Sequence, residues 1–221
     1  MREKAVELLR LHTDPELLIL VNVWDVASAR TVAATPGCRA VATASAAIAA
    51  AFGYPDGEII PIALMLDMLA RIAAGAAGGN LEDQMRPLAE SAKAVRTAVR
   101  AAELEGVPFV LNARTDAFLA PGGRAGALAE ALHRGRAFLE EGAGCVFVPG
   151  RLDSDQVGSL VEGLGPRKLS VLGLPGTPPP SELVALGVAR VSYGPSPHRA
   201  ALATLAETAE QLLAGAPPPR L

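Results

Sequence analysis

The chain has 221 residues, of which 50% are hydrophobic, and a formal net charge of −3 at pH 7. Such a chain can bury one substantial core, and this composition excludes a disordered or low-complexity protein. Lys and Arg are dispersed without basic runs, so we expect no nucleic-acid partner. Small soluble molecules are the expected ligands.

No segment has the pattern of an export signal or a membrane span. Residues 1–9 mix acidic, basic and apolar side chains, which does not fit a signal peptide. The most apolar stretch, Ala40 to Phe52, is shorter than the ~18 residues that a spanning helix needs. We therefore expect a cytoplasmic protein with no membrane partner. Cys38 and Cys145 lack Cys-x-x-Cys spacing, so we interpret them as small buried hydrophobic residues.

Short β-rich runs alternate with longer Ala-, Leu- and Arg-rich helical patterns, which predicts parallel βα units and an α/β fold. The predicted strands are Leu18–Val23, Ala40–Thr43, Gly79–Leu81, Pro108–Asn112, Cys145–Val148, Leu169–Leu172 and Arg190–Ser192. The predicted helices are Ser28–Ala34, Met65–Ala74, Leu88–Glu105, Ala125–Glu141, Ser154–Gly163, Ser181–Leu186 and Pro197–Leu213. No linker divides the chain, so we predict a single domain over residues 1–221.

The chain is shorter than a complete barrel of eight such units. A (β/α)8 TIM-type barrel takes ~250 residues, or roughly 31 per unit. Between Ile72 and Asn80 a predicted helix runs almost directly into a strand. We therefore predict a TIM-type barrel that lacks its third βα unit. The sequence leaves open a natural deletion, an engineered one, or a stretch left out of the recorded chain.

Charged residues follow two neighbouring predicted strands. Glu82 and Asp83 come after one strand, and Arg114 and Asp116 come after the next. In a barrel the carboxyl ends of the strands share one face, so these side chains converge. A guanidinium binds a carboxylate with two parallel hydrogen bonds, which makes Arg114 a candidate substrate clamp. The alternative is a structural ion pair of a nearly buried Arg114 with Glu82 or Asp116.

Carboxylates at this position are also the hard oxygen ligands that Mg²⁺ prefers, directly or through water. For Asp83 the alternative is a role as helix N-cap. Earlier in the chain, Trp24 and Asp25 close the first predicted strand, and the backbone N–H groups near Ser45 can cradle a carboxylate. Trp24 can equally belong to the core.

The three histidines, His12, His133 and His198, do not cluster in sequence with an acid or nucleophile. We predict that each is a surface or cap residue. No Ser-His-Asp arrangement, phosphate loop or dinucleotide fingerprint is present in the sequence.

Five segments together resemble the isocitrate lyase/phosphoenolpyruvate mutase family. They are residues 22–29 (NVWDVASA), 42–46 (ATASA), 52–58 (FGYPDGE), 80–83 (NLED) and 112–118 (NARTDAF). The resemblance implies a (β/α)8 barrel whose last helix is exchanged between neighbouring subunits of a homo-oligomer. It also implies a Mg²⁺ enzyme that acts on small 2-oxo acids or related carboxylates.

The resemblance also assigns roles to single residues. Glu82 and Asp56 match carboxylates of the metal shell that act largely through water, and Arg114 matches the catalytic clamp on the substrate anion. Ser45 and Ala46 match backbone amide donors to the substrate. Trp24 matches a wall of the substrate pocket.

Three departures from the family pattern stand out. The acidic Asp-x-Asp/Glu-x-Gly-Tyr-Gly segment of the third strand, with the principal direct metal ligand, has no counterpart between Ala74 and Gly78. A Ser that often contacts substrate is Ala44 here. The Lys-bearing loops of the two family branches do not follow Gln84.

These observations predict a Mg²⁺-dependent lyase-type enzyme that cleaves or forms a C–C bond in a small 2-oxo or 2-hydroxy carboxylate. The alternatives are an enzyme for C–P bonds, of the phosphonopyruvate mutase or hydrolase type, and a barrel homologue without catalytic activity.

Overall fold

The computed structural model describes residues 2–57, 59–72, 77–120 and 126–218. Contacts group the chain into two compact units, Met1–Leu20 with Ala73–Ser192 and Val21–Ile72 with Tyr193–Leu221. The single-domain interpretation stays a prediction. Among the helices of the described ranges, none has the length and apolar character needed to cross a membrane.

The first unit contains most of the strands, and all of its strand pairs are parallel. Its elements are α1 (Arg2–Thr13), the first half of β1 (Leu18–Val23), β3 (Gly78–Glu82), α5 (Leu88–Leu104), β4 (Val110–Arg114), α6 (Ala127–Glu140), β5 (Cys145–Val148), α7 (Ser154–Leu164), β6 (Leu169–Leu172), α8 (Pro180–Ala185) and β7 (Arg190–Ser192). Hydrogen bonds join these strands in the order β3-β4-β5-β6-β7-β1. Helices between successive parallel strands are the arrangement of a TIM-type barrel.

The core of the first unit lies between its sheet and its long helices. Buried residues of β4 pack with buried residues of α5 and α6, namely Leu111 and Ala113 with Val95 and Phe138. Cys145–Val148 is buried at every position, as expected for a strand covered on both faces. This packing fixes the ends of β3 and β4, where the predicted site residues lie.

The second unit is built around a shorter strand pair. The second half of β1 pairs in parallel with β2 (Val41–Thr43), and the helices are α2 (Val26–Ala33), α3 (Ser45–Ala51), α4 (Ile62–Ile72) and α9 (Ser196–Leu213). Its core contains Ile48, Ala49 and Ile60. Asp25 begins α2 by a capping box with Ser28, so its position at a strand end is explained by helix capping.

All seven predicted strands are present in the described ranges, four with the predicted bounds. Two helices, α1 and α3, were not among those predicted. Within the described residues β3 pairs only with β4, and β2 only with β1. This one-sided pairing agrees with a barrel that lacks its third unit, which stays a prediction because residues 73–76 lie outside the described ranges.

Candidate active site

The ends of β3 and β4 bring three of the predicted charged residues into contact. Glu82 and Arg114 are partners in the parallel register, so their side chains lie on the same face of the sheet. Arg114 Nη1 donates to Glu82 Oε1 at 2.6 Å, and Arg114 Nε donates to Asp116 Oδ1 at 2.6 Å. One guanidinium thus joins two carboxylates.

Arg114 was expected to be nearly buried, but its side chain keeps 22% of its surface exposed. Both of the structural ion pairs that the sequence left open are present, to Glu82 and to Asp116. Arg114 Nη2 makes no hydrogen bond to any described residue, so its two N–H groups remain available to a ligand. The geometry therefore accommodates the structural pairs and a clamp on an anion together.

Asp83 has a different role from the one predicted. It is 3% exposed, and its Oδ1 accepts hydrogen bonds from the backbone N–H groups of Met85 and Asp116 at 3.0 and 3.1 Å. Its Oδ2 accepts from Arg134 Nη1 at 3.2 Å. The prediction of a helix N-cap is wrong, because the N-cap of α5 is Pro87. Asp83 instead connects the loop after β3 to the loop after β4.

Arg134 completes this connection from α6. Its guanidinium also donates to the backbone carbonyl of Arg86 at 2.8 Å and to Glu130 Oε1 at 2.6 Å. Buried charges are tolerated where they are paired and hydrogen-bonded. Sequence reasoning missed Arg134, which lies 51 residues from Asp83 and on a helix interior with no motif to mark it.

The loop after β3 contains a strained turn. Gln84 and Met85 both have left-handed backbone conformations, with φ of 48° and 54°. Such conformations cost a non-glycine residue about 1–2 kcal/mol, so surrounding contacts must hold them. The Asp83 bond to the Met85 N–H and the bond from Arg86 Nη2 to the Glu82 carbonyl supply those contacts.

The second unit contains the other predicted site residues. Trp24 packs on the core around Ile48, and its ring meets the ring of His198 edge-on at 4.8 Å between centroids. Ser45 and Ala46 form the first turn of α3, whose N-cap, Ala44, makes no side-chain hydrogen bond. Their backbone N–H groups therefore have no side-chain cap.

Asp56 lies in the exposed loop after α3, where its Oδ1 accepts from the backbone N–H of Gly57 at 3.0 Å. This is a local turn contact, and Asp56 has no other hydrogen bond among the described residues. The neighbouring Glu58, part of the same family segment, lies outside the described ranges.

Each histidine was predicted to be a surface or cap residue, and for two of the three the surface alternative is wrong. His12 is 3% exposed and His198 is 7% exposed, so neither is a surface residue. His12 is covered within the first unit, with Nδ1 2.8 Å from the Leu8 carbonyl one turn earlier. His198, near the start of α9, packs on Trp24. Both rings are buried by tertiary packing, which a lone histidine in sequence does not reveal.

The fit of the site to Mg²⁺ depends on the oxygens that it offers. Glu82 and Asp116 provide the hard carboxylate chemistry that Mg²⁺ prefers, and the Glu82 side chain is 35% exposed. Arg114 already contacts one oxygen of each. Within the described part of the chain, no group of three or more His, Cys, Asp or Glu residues could hold a metal ion. Glu82 therefore fits a contact through water, and these residues do not make a set of direct ligands.

Parallel βα units are the arrangement of a TIM-type α/β barrel, and in such barrels ligand sites lie at the carboxyl ends of the strands, where Glu82 and Arg114 meet. The family model described as phosphoenolpyruvate phosphomutase matches residues 8–74 and 72–213. The chain belongs to this family. The resemblance read from the five sequence segments is confirmed.

Three relatives illustrate the range of the family. A crystal structure from Burkholderia cenocepacia J2315, provisionally described as a phosphonomutase, is 35% identical, with a TM-score of 0.87 and coverage of 95% of this chain and 100% of that chain. Oxaloacetate acetylhydrolase in complex with oxalate is 25% identical, with a TM-score of 0.83 and coverage of 95% and 86%. An uncharacterized protein of Mycobacterium tuberculosis is 28% identical, with coverage of 95% and 90%.

The mycobacterial relative has residues that this chain lacks. The match to the mycobacterial protein extends over 242 positions, more than the 221 residues present here, so that relative has residues without a counterpart in this chain. The two stretches matched by the family model meet at residues 72–74. This is the place where the sequence predicts the absence of one βα unit.

Proposed function

We propose that this protein is a Mg²⁺-dependent enzyme that cleaves or forms a C–C bond in a small 2-oxo or 2-hydroxy carboxylate. The observation that carries the proposal is the position of Arg114, joined to Glu82 and Asp116 at the ends of β3 and β4. Membership of the family supports it, because its members are generally Mg²⁺-dependent lyases and mutases. Similarity to oxaloacetate acetylhydrolase is consistent with the C–C reaction.

In this proposal Arg114 binds the carboxylate of the substrate through the N–H groups of Nη2, which donate to no described residue. Asp116 holds Nε, and this contact fixes the plane of the guanidinium, so less side-chain entropy is lost when the substrate binds. The connection from Asp83 to Arg134 keeps the loops after β3 and β4 in place. Arg114 is therefore oriented before the substrate arrives.

Glu82 has the second role in the proposal, as a carboxylate that hydrogen-bonds the water shell of Mg²⁺. The metal, when bound, supplies positive charge where negative charge develops on the substrate. Asp56 is assigned the same role by resemblance within its own unit. Trp24 is assigned to the pocket wall, and the N–H groups of Ser45 and Ala46 to the binding of substrate oxygens.

The test is an assay of oxaloacetate, 2-methylisocitrate and phosphonopyruvate, each with Mg²⁺ and with EDTA. We expect turnover of one of the two C–C substrates with Mg²⁺ only. The Arg114→Met variant should be inactive, and Arg100→Met, which removes an exposed arginine of α5, should match the wild type. Consumption of a C–C substrate in EDTA at the same rate would contradict the role of the metal.

A second candidate function is C–P bond chemistry, which the 35% identity to the Burkholderia protein favours. Turnover of phosphonopyruvate alone would establish this alternative. A phosphonate carries more negative charge than a carboxylate and therefore requires more cationic or amide donors. Two carboxylates already surround Arg114, which favours the C–C reaction. Failure to turn over any of the three substrates would favour the catalytically silent homologue.

We also propose that the protein is a homo-oligomer in which neighbouring subunits exchange the last helix. In α9 the apolar residues Leu202, Leu205, Leu212 and Leu213 are 50%, 62%, 45% and 90% exposed. A helix that exposes this much apolar surface is typical of an interface. Light scattering after size-exclusion chromatography should give a multiple of the chain mass, and Leu205→Asp should lower it. A wild-type monomer would contradict the proposal.

A further inference from the structure

A second set of polar residues lies on the same face of the first unit's sheet as the site. Asn80, Asn112 and Cys145 are register partners on β3, β4 and β5. Asn112 Nδ2 donates to Asn80 Oδ1 at 2.8 Å, and the Cys145 thiol donates to Asn112 Oδ1 at 2.8 Å. Each residue precedes by two positions a member of the register row Glu82, Arg114 and Phe147, so the polar set lies one layer nearer the amino ends of the strands.

Arg190 and Ser170 extend the polar face across β6 and β7. They are register partners of each other, and the register continues from Ser170 through Phe147 to Arg114. Register partners in a parallel sheet project to the same side, so Arg190 lies on the interior face with Arg114. Arg190 is 7% exposed and Ser170 is fully buried.

His12 adds a third buried polar group from α1. Its Nδ1 lies 2.8 Å from the Leu8 carbonyl, which can only accept, so Nδ1 carries the proton and Nε2 is a bare acceptor. Burial lowers the pKa of His12 to about 4, and the positive charge of Arg190 acts in the same direction. His12 is therefore neutral at pH 7 and within electrostatic reach of Arg190.

Three buried atoms of this group have no hydrogen bond to any described residue: Arg190 Nε, Ser170 Oγ and His12 Nε2. Buried polar atoms are nearly always satisfied by protein, by ordered water or by a bound ion. The three atoms include a donor, a hydroxyl and an acceptor. To satisfy all three atoms, the bound species must include both a hydrogen-bond acceptor and a hydrogen-bond donor.

The charge of Arg190 decides what kind of occupant is needed. Arg190 forms no ion pair within the described residues, and the remaining residues of the first unit, Met1, 73–76 and 121–125, contain no acidic side chain. Cys145 is not a counter-ion, because its thiol donates to Asn112 and burial raises its pKa to about 11. A buried guanidinium that has no counter-charge among the described residues has a large desolvation penalty. Water alone satisfies the hydrogen bonds but leaves this charge unbalanced.

We propose that this interior cluster binds a monovalent inorganic anion of halide size, held by Arg190 and Ser170. One positive charge selects a monovalent anion, and the apolar neighbours in the register, Leu18 and Phe147, favour a small ion. A water molecule that donates to His12 Nε2 completes the shell of the anion. The site is separate from the Glu82–Arg114 pair, so it does not depend on the proposed reaction.

Crystals of the wild-type protein soaked in sodium bromide provide the direct test. We expect an anomalous bromine peak within hydrogen-bonding distance of both Arg190 Nε and Ser170 Oγ. Because this experiment uses the unmodified protein, it does not depend on whether a variant folds. Density for water alone at this position, with bromide bound elsewhere, would overturn the proposal.

The thermal unfolding midpoint provides the second test, at constant ionic strength with bromide exchanged for gluconate. We expect bromide to raise the wild-type Tm by about 3–5 °C at ten times its dissociation constant. The rise should disappear in Arg190→Met and shrink in Ser170→Ala, and should persist in the surface variant Arg100→Met. An equal rise in all four proteins would show that bromide acts elsewhere. If Arg190→Met does not fold, the comparison of Ser170→Ala with Arg100→Met and the bromide crystals decide the question.

Discussion

The two groups of predicted site residues differ in how firmly the protein holds them. In the first unit Glu82, Arg114 and Asp116 form one network, and the buried Asp83–Arg134 pair fixes the loops that carry them. In the second unit Asp56 has only a local turn contact. Ser45 and Ala46 begin a helix without a side-chain cap. The first group is therefore part of the network that holds the loops after β3 and β4, whereas we expect changes at Asp56, Ser45 and Ala46 to have little effect on folding.

The strongest test of this difference is removal of the buried pair. Arg134→Met leaves the Asp83 carboxylate buried without its cation, so we expect a loss of about 3–5 kcal/mol in the free energy of unfolding. Urea denaturation measures the loss. Glu130→Gln is the matched control, because it removes the exposed partner of the same arginine and should cost less than about 1 kcal/mol. Equal effects would show that the first group is no more firmly held than a surface pair.

Arg114→Lys separates the two roles within the first group. An ammonium keeps the charge but loses the planar fork, so we expect kcat/KM to fall about 100-fold while the fold is kept. Steady-state kinetics and a thermal melt on the same preparation give both quantities. An unchanged KM and kcat would rule out the clamp, and a large drop in Tm would assign Arg114 to the structural ion pair.

The pH dependence of the free energy of unfolding tests the contribution of His12, in the first unit, to stability. Burial lowers the pKa of His12 from 6.5 to about 4, so the unfolded chain binds its proton at higher pH than the folded protein. The His12 contribution to stability is therefore complete above pH 6.5 and is lost as pH falls from 6.5 towards 4. The loss is on the order of 2–3 kcal/mol. His12→Gln should flatten this part of the stability curve, and an unchanged slope would contradict the assignment.

Glu82→Gln tests the metal role within the first group. The amide preserves size but removes charge, so we expect Mg²⁺ to bind about 10-fold more weakly. Isothermal titration of Mg²⁺ in the presence of a 2-oxo acid measures the affinity. Equal affinities in wild type and variant would leave Glu82 with a purely structural role.

The smallest expected change in stability is in the second group. Asn at position 56 can still accept the hydrogen bond from Gly57, so Asp56→Asn should change the free energy of unfolding by less than about 0.5 kcal/mol. Its effect should appear in the Mg²⁺ dependence of turnover alone. A stability loss as large as that of Arg134→Met would remove the distinction between the two groups.

Much of the fold could be predicted because parallel strands leave a clear signal. Continuous apolar runs predicted the bounds of β5 and β6, and charged residues at the carboxyl ends of two neighbouring predicted strands indicated the contact of Glu82 with Arg114. The helix α3 was missed because its Ala-rich sequence lacks a polar face and a capping side chain.

The rest of the site depends on contacts that sequence spacing does not encode. In the sequence Asp83 resembles a helix cap, because its contact with Arg134, 51 residues later, forms only in the folded chain. The Nδ1 of the buried His12 is paired with a backbone carbonyl, a kind of partner that has no sequence signature. Such roles become visible only when the chain is folded.

The packing of Trp24 against His198 gives the protein a built-in spectroscopic reporter. Trp24 is the sole tryptophan of the chain, and it lies in the second unit with its ring against that of His198. Its fluorescence therefore reports the environment of that unit, while far-UV circular dichroism averages over all helices and strands. Unfolding curves from the two signals will coincide if the units melt cooperatively and separate if they melt in turn.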